Sequence, residues 1–283
     1  MSGLLSVVGT PIGNLDDLSP RAARAIQAAD VIACEDTRVA RVLLQRVAAV
    51  TGERSRARLV TYHARNERAR VRELLARIGA GERVALTTDA GMPGLSDPGH
   101  RLIAACREAG YRVEVIPGAS AVTTALVASG FPSARFVFEG FLPRTGASRR
   151  RRLDALAAEQ RTIVLFESPH RVVVTLRDLA AAFGADRPAA IARELTKMHE
   201  EVVRGSLAEL AETLEAAGAR GEITIVVAGA EPEEAAVAEP ADLARDVADR
   251  MAAGTTKREA IAAVAAERAV PKRTVYQAVV DRG

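Results

Sequence analysis

The chain has 283 residues, 48% of them apolar, so it is long enough for about two domains and apolar enough to bury real cores, which excludes a disordered polymer. Its 39 basic residues against 36 acidic ones leave a net charge of only +3, and just three of the basic residues are lysines (Lys197, Lys257, Lys272), so arginine abundance by itself does not mark a nucleic-acid binder. Cys34 and Cys106 stand alone, without the spacing of a disulfide framework or a metal site, and no metal is expected.

In chain order, β-rich runs at Leu4–Val8, Val31–Cys34, Leu59–Tyr62, Val84–Thr87 and Val113–Ile116 alternate with helical periodicity at 21–29, 39–47, 67–78 and 99–109. That rhythm predicts a largely parallel sheet with helices packed on it, an α/β lobe over 1–130. Ser19 followed by Pro20 supplies an N-cap and a first helical residue. A second round, with strands at Phe136–Phe141, Thr162–Glu167, 189–194, 201–204 and 223–228 and helices at 149–158, 171–183 and 207–217, predicts a second α/β lobe over 131–230. The acidic, Pro-containing stretch 231–240 reads as a linker. Residues 241–283 show three short helical segments (243–251, 257–268, 272–280), with Thr255 and Thr256 before the second and Pro271 opening the third, which predicts a small C-terminal helix-turn-helix unit.

No N-terminal basic region precedes the short apolar run at residues 4–8, so no signal peptide is expected. The uncharged stretch 115–134 is interrupted by Pro117, Gly118, Gly130 and Pro132, unlike a membrane-spanning helix. The expectation is a soluble cytoplasmic protein without a membrane partner.

Three loops at predicted strand ends stand out. After the first strand, Gly9-Thr10-Pro11-Ile12-Gly13 lets the backbone turn sharply but lacks the Gly-Lys-Ser/Thr of a P-loop and the spacing of a dinucleotide fingerprint, which also disfavours a dehydrogenase. The fourth strand runs into a Gly- and Pro-rich loop, 87–99, where Asp89 and Asp97 are available to ammonium or hydroxyl groups. The fifth ends in Pro117-Gly118-Ala119-Ser120-Ala121 before another helix. Ligands of open α/β sheets bind at the carboxyl edge of the strands, so these loops are candidates for one site.

The order and wording of the loops resemble the tetrapyrrole-methylase-like family of S-adenosylmethionine-dependent methyltransferases. VVGTPIGNLDDLSPRA, ACEDTR, DAGMPGLSDPG, IPGASAVTTAL, GFLPR, FESPHR and ARELTKMHEEVVRGSL are similar to the ribosomal RNA small-subunit methyltransferase branch of that family, which methylates the ribose 2′-oxygen of a cytidine. The resemblance spans about residues 4–230 and continues into the tail. It implies two lobes of the tetrapyrrole methylase type with a cleft between them holding S-adenosylmethionine. Carried over by position, it implies cofactor contacts at Pro11, Asp89, Gly91, Met92, Pro93, Gly94, Ser120, Ala121, Phe166, Glu167, Glu222, Ile223 and Thr224, many through backbone atoms. It also implies a homodimer, and small-subunit ribosomal RNA or its particle as partner.

Transfer to a ribose hydroxyl requires that its proton leave, and a positioned base contributes about 10²–10⁴-fold. Glu35, Asp36, Glu194 and Lys197, with His63 and His170, lie in or near the matched strings, and the residues alone leave the choice among them open; a lysine serves only if burial lowers its pKa. For RNA, the densest cationic stretch is Arg144 with Arg149, Arg150, Arg151 and Arg152, five arginines without an acid in nine residues. Arg38 and Arg171 fall within matched strings, and Lys257, Lys272 and Arg273 give the tail its basic character. Two other readings fit parts of the sequence: a tetrapyrrole-type methylase with a small-molecule substrate, which the basic run opposes, and a non-enzymatic RNA-binding assembly factor that keeps the fold.

Overall fold

The computed structural model describes residues 3–231, 239–268 and 270–281. The chain divides into two compact units, Met1–Gly229 and Ala230–Gly283.

The first unit holds two five-stranded sheets. Strands β1 (Leu4–Val8), β2 (Val31–Cys34), β3 (Arg58–Thr61), β4 (Arg83–Leu86) and β5 (Arg112–Ile116) form an all-parallel sheet in the order β3-β2-β4-β1-β5. Between them run α1 (Pro20–Gln27), α2 (Thr37–Thr51), α3 (Glu67–Gly79) and α4 (His100–Glu108). Both faces of a parallel sheet must be covered, and the inner strands β1, β2 and β4 are correspondingly buried along nearly their whole length, while the edge strands β3 and β5 are partly exposed. Side chains alternate: Val31, Ala33, Val84 and Leu86 meet Leu74, Ile78, Leu102 and Cys106 of α3 and α4. Ile32, Cys34, Ala85 and Ile116 meet Ala22, Ile26, Leu43 and Val47 of α1 and α2 on the opposite face. Ser19 caps α1 by accepting the Ala22 N–H, with Pro20 at its first position as expected.

The second sheet contains β6 (Phe136–Phe141), β7 (Thr162–Glu167), β8 (Pro188–Arg193), β9 (Glu201–Ser206) and β10 (Ile223–Val227), in the order β6-β7-β10-β8-β9. Only β6 and β7 are parallel; the remaining pairs are antiparallel. One face carries α6 (Gly146–Ala157), α7 (Val172–Phe183) and α8 (Leu207–Ala217), burying Ile163, Leu165, Ile191, Ile225 and Val227. The other face is covered by α5 (Ala121–Ser129), whose Val122, Ala125 and Leu126 pack on Val164, Ala190, Ala192 and Val226. This helix follows β5 in the chain yet rests on the second sheet, so it ties the halves together; Ile12 of the first loop joins the same cluster.

Observed elements differ from the sequence reading mainly at their ends. Helix α2 begins at Thr37, two residues before its periodic stretch, because Asp36 accepts the Arg38 N–H as N-cap, and it runs on to Thr51, where Gly52 at φ 80° ends it. A short 3-10 turn at Leu15–Asp17, too brief to leave a periodic signal, was not anticipated.

In the second unit, α9 (Pro240–Ala252), α10 (Lys257–Glu267) and α11 (Lys272–Val280) enclose a small core of Leu243, Val247, Ile261, Val264 and Val275. Thr256 and Glu259 form a reciprocal capping box at the start of α10. Most of the expected linker, residues 232–238, lies outside the described residues, and its last residue, Pro240, opens α9. Among the described residues no helix is long and apolar enough to cross a membrane.

Candidate active site

Within the first unit a cavity of about 400 Å³ opens at the carboxyl edge of the parallel sheet. Its walls come from the loops after β1, β2, β4 and β5 and from the β7 and β10 regions of the second sheet. The loops hold one another in place. Thr10 and Gly91 exchange backbone hydrogen bonds at 2.9 and 3.2 Å, tying the first loop to the loop after β4. The Asp36 N–H donates to Asp89 Oδ1 at 3.0 Å, tying in the loop after β2. Gly91 sits at φ 79°, a conformation that strains other residues.

Of the residues implied as cofactor contacts, Asp89, Gly91, Met92, Ser120, Ala121, Phe166, Glu167, Glu222, Ile223 and Thr224 line this cavity. Pro93 and Gly94 do not; they shape the bend behind it, Gly94 at φ 84°. Pro11 is also displaced: it lines a small neighbouring pocket of about 60 Å³ that shares Asp89, beside Leu15, Val39 and Leu43. Side chains the sequence reading passed over include Ile12, Leu95, Ser96, Phe141 and Gly221. Leu95 and Ser96 stand inside the matched string DAGMPGLSDPG and Phe141 inside GFLPR, the signal that pointed to them; Gly221, two residues before β10, lies in no matched string and reaches the cavity through the pairing of β10 with β7.

The cavity is acidic and short of cations. Glu35, Asp89 and Asp97 all face it. Burial pushes the Glu35 carboxyl up, and the charges of Asp97 and Asp89 push it further. Burial likewise raises Asp89, although the Asp36 N–H offsets part of the effect. For Asp97, burial raises the pKa to about 6; the Thr88 hydroxyl opposes the rise and the charges of Asp89 and Glu222 add to it. No lysine or arginine is among the lining residues, and Ile12, Leu95, Phe141, Phe166 and Ile223 supply apolar walls. Phe166 is braced by Phe138 and Phe141, with ring centroids 5.0 and 5.7 Å away.

Other candidates separate by what they touch. Asp36 is bound through both oxygens by Arg38, and the hydrogen bonds from that arginine hold its carboxyl down at about 2, which makes it a weak base. Lys197 donates to Glu194 at 2.9 Å and Glu222 at 3.2 Å. Burial alone lowers its pKa, but those two carboxylates outweigh burial and the net shift is upward, so the condition under which a lysine serves as base is not met. The same hydrogen bond from Lys197, with the Glu222 N–H, lowers Glu194. This cluster stands at the cavity's edge, where Glu222 is shared and the Lys197 stem crosses Gly13 of the first loop. His63 and His170 are not among the lining residues. Among the described residues the three non-glycine residues with left-handed backbone are Ser96 (φ 63°), Glu194 (φ 50°) and Thr196 (φ 67°), all at or beside the cavity. Strain of this kind, of order 1–3 kcal/mol each, persists where surrounding structure enforces it.

The basic run divides in the same way. Arg149 is a correction to the proposed RNA contacts: it is only 7% exposed and donates to Asp178 Oδ2 (2.7 Å), the Pro143 carbonyl (2.9 Å) and the Thr175 hydroxyl (3.0 Å). A helix cannot point four successive side chains the same way, and this one points inward. Arg152 is paired with Glu139, and Arg171 donates to the Leu142 carbonyl and pairs with Glu167. Arg144, Arg150 and Arg151 remain exposed without an ion-pair partner among the described residues, whereas exposed Arg38 is held by Asp36. In the second unit Arg245, Arg250 and Arg268 are paired with acids, while Lys257, Arg258, Lys272 and Arg273 are exposed and unpaired among the described residues.

Comparison with known proteins agrees with this architecture. The family model for tetrapyrrole (corrin/porphyrin) methylases matches residues 4–211. The ribosomal RNA small subunit methyltransferase I of Mycobacterium bovis is 50% identical over 281 residues, 99% of this chain and 95% of that protein. The protein of the same name from Synechocystis is 44% identical over 275 residues, 97% of this chain and 96% of its own length. Among solved structures, uroporphyrin-III C-methyltransferase from Thermus thermophilus, in complex with S-adenosylhomocysteine, shares the fold at a TM-score of 0.56 and 22% identity, covering 80% of this chain and 96% of that one. With two lobes, a cavity at the strand ends and relatives alike over nearly their whole length, the chain belongs to the tetrapyrrole (corrin/porphyrin) methylase family.

Proposed function

We propose that this protein transfers the methyl group of S-adenosylmethionine to the ribose 2′-oxygen of a cytidine in small-subunit ribosomal RNA. The observation that carries the reading is a cavity lined by five acidic residues (Glu35, Asp89, Asp97, Glu167 and Glu222) and by no lysine or arginine, set in a chain whose curated relatives bear that ribosomal name. S-adenosylmethionine brings a positively charged sulfur and an ammonium group, the charge this pocket lacks. Asp89 and Glu35 would hold its polar groups, Phe166 and Ile12 its apolar faces, and the open backbone at Gly91 and Ala121 its edges. When bound, it supplies an electrophilic methyl carbon.

The chain's own part is to bring the ribose hydroxyl to that carbon and to take its proton. Orientation of this kind is worth up to about 7–11 kcal/mol in well-aligned systems. As the oxygen formed its bond to carbon, the carbon–sulfur bond would break, the electron pair would leave with the sulfur as a neutral thioether, and the hydroxyl proton would pass to a carboxylate. Asp97 suits the task better than the six candidates read from the sequence: it lines the cavity and is also reached from an adjoining groove, so an acceptor can meet it from the other side. Its pKa of about 6 lies near an ordinary working pH, where a general base combines availability with strength. Glu35 is the second carboxylate in position.

Arg144, Arg150 and Arg151 are the phosphate contacts we assign from the basic run, with Lys257, Lys272 and Arg273 in the tail. A cytoplasmic homodimer belongs to the same reading. Calorimetry with S-adenosylmethionine, followed by methyl transfer to small ribosomal subunits with ribose-level mapping, tests it. Failure to bind the cofactor, or methylation of a porphyrinoid in place of the ribosomal particle, overturns it.

A further inference from the structure

Outside the cofactor site, a groove of about 760 Å³ lies between α3 and α4. Its apolar surface comes from Ala64, Val71, Pro98, Ala104 and Ala105. Its head is formed by Ser96 and Asp97, which also line the cofactor cavity, so one short piece of backbone separates the two spaces. Ser96 is held there in left-handed conformation, with Gly94 and Gly99 at φ 84° and 149° on either side of the bend.

The charges around the groove are sorted. Arg70 and Arg77 of α3 are paired with Glu73, and Arg101 of α4 is paired with Glu67 at 2.7 Å. Arg65, Arg68 and Arg72 are exposed and, among the described residues, have no ion-pair partner. Arg65 stands in the turn before α3, while Arg68 and Arg72, four residues apart, share one face of the helix about 6 Å apart at 1.5 Å per residue. Arg68 lines the groove itself, with His100 opposite on α4. Acids are present too. Glu67 is neutralised by Arg101, Asp97 belongs to the shared wall, and exposed Glu108 lies near the C-terminus of α4. Small apolar side chains along the channel and unpaired guanidinium groups in a row suit a polyanion with flat, apolar units more than a compact solute.

We propose that the groove between α3 and α4 is the track of a single RNA strand whose acceptor nucleotide crosses the Ser96–Asp97 wall into the methyl-transfer cavity. This rests on the proposed function and adds a binding surface that the basic stretch at 144–152 does not include. Bases and riboses lie against Val71, Ala104 and Ala105, and phosphates meet Arg68 and Arg72. Asp97 then faces the acceptor hydroxyl from the groove side.

The test is the salt dependence of binding to small ribosomal subunits from a strain lacking the protein. Replacing Arg68 and Arg72 together by glutamine removes two phosphate contacts, so the log–log slope becomes shallower by about 1.4–1.8 and binding weakens. The paired lysine variant (R68K, R72K) keeps the slope, because it keeps the charge. Arg70→Gln, on a paired residue of the same helix, leaves it unchanged. Cofactor affinity, measured by calorimetry, stays at the wild-type value in all three. An unchanged slope in the double glutamine variant with intact cofactor binding overturns the groove and leaves the proposed function standing. Wild-type protein that binds cofactor but not the particle overturns both. Competition by duplex RNA as effective as by single-stranded RNA overturns the single-strand assignment.

Discussion

Gly9 and Gly118 face each other at the ends of the paired strands β1 and β5, so closely that a Cβ on Gly9 would stand 2.6 Å from the Gly118 nitrogen and one on Gly118 2.6 Å from the Gly9 carbonyl carbon. Both near atoms are backbone and cannot swing aside. The loops that begin here carry Ile12, Ser120 and Ala121 into the cofactor cavity. Gly118→Ala is therefore expected to destabilise the protein by about 1–3 kcal/mol through overpacking and to weaken cofactor binding with it. Thermal unfolding and calorimetry on the same variant check both effects; wild-type values in both refute the close approach.

Asp97→Asn keeps shape and removes the proton acceptor. Methyl transfer should fall by about 10²–10⁴-fold while cofactor binding persists. The pH profile is the sharper measurement. The wild-type rate rises as pH passes through about 6, where the carboxylate forms, and the asparagine variant loses that limb.

The same group sets a stability trend in the cofactor-free protein. Its pKa is raised on folding, from 3.8 to about 6, so the folded state binds the extra proton in that interval. Stability from this source is full below about pH 3.8 and is lost as pH rises through about 6. Between pH 4 and 7 the difference in Tm between Asp97→Asn and wild type should therefore grow in favour of the variant as pH increases; a pH-independent difference contradicts the burial of this carboxylate.

Asp89→Ala should weaken S-adenosylmethionine binding at least tenfold, about 1.4 kcal/mol. Part of the loss comes from the Asp36 N–H, which loses its acceptor at 3.0 Å. Asp89→Asn retains an acceptor oxygen, so calorimetry on the pair separates the charge from the loop anchor.

Arg149 and Arg150 are neighbours with opposite roles. Arg149→Ala leaves Asp178 and Thr175 without their buried partner and should cost about 3 kcal/mol, the low end for a buried pair because Asp178 is still partly hydrated. Arg150→Ala should leave Tm unchanged and reduce the salt slope of particle binding by about 0.7–0.9. Unfolding curves and filter binding distinguish the two.

Periodicity and turn chemistry are local properties, and through them the sequence by itself determined that strands and helices alternate, that α1 starts at Ser19-Pro20 and that three helices follow residue 240. The Gly- and Pro-rich loops at strand ends were legible for the same reason, since few other residues tolerate their backbone angles. Tertiary structure alone decided which arginine of the run 149–152 turns inward, because that depends on where α7 presents Asp178 and Thr175. It alone decided that α5 covers the second sheet and that Phe141 meets Phe166, contacts made between segments distant in the chain. And it decided the charge states: Lys197 stays protonated and Asp97 gains proton affinity because one is surrounded by carboxylates and the other is buried among them, a difference set by distance and hydration that no single sequence position carries.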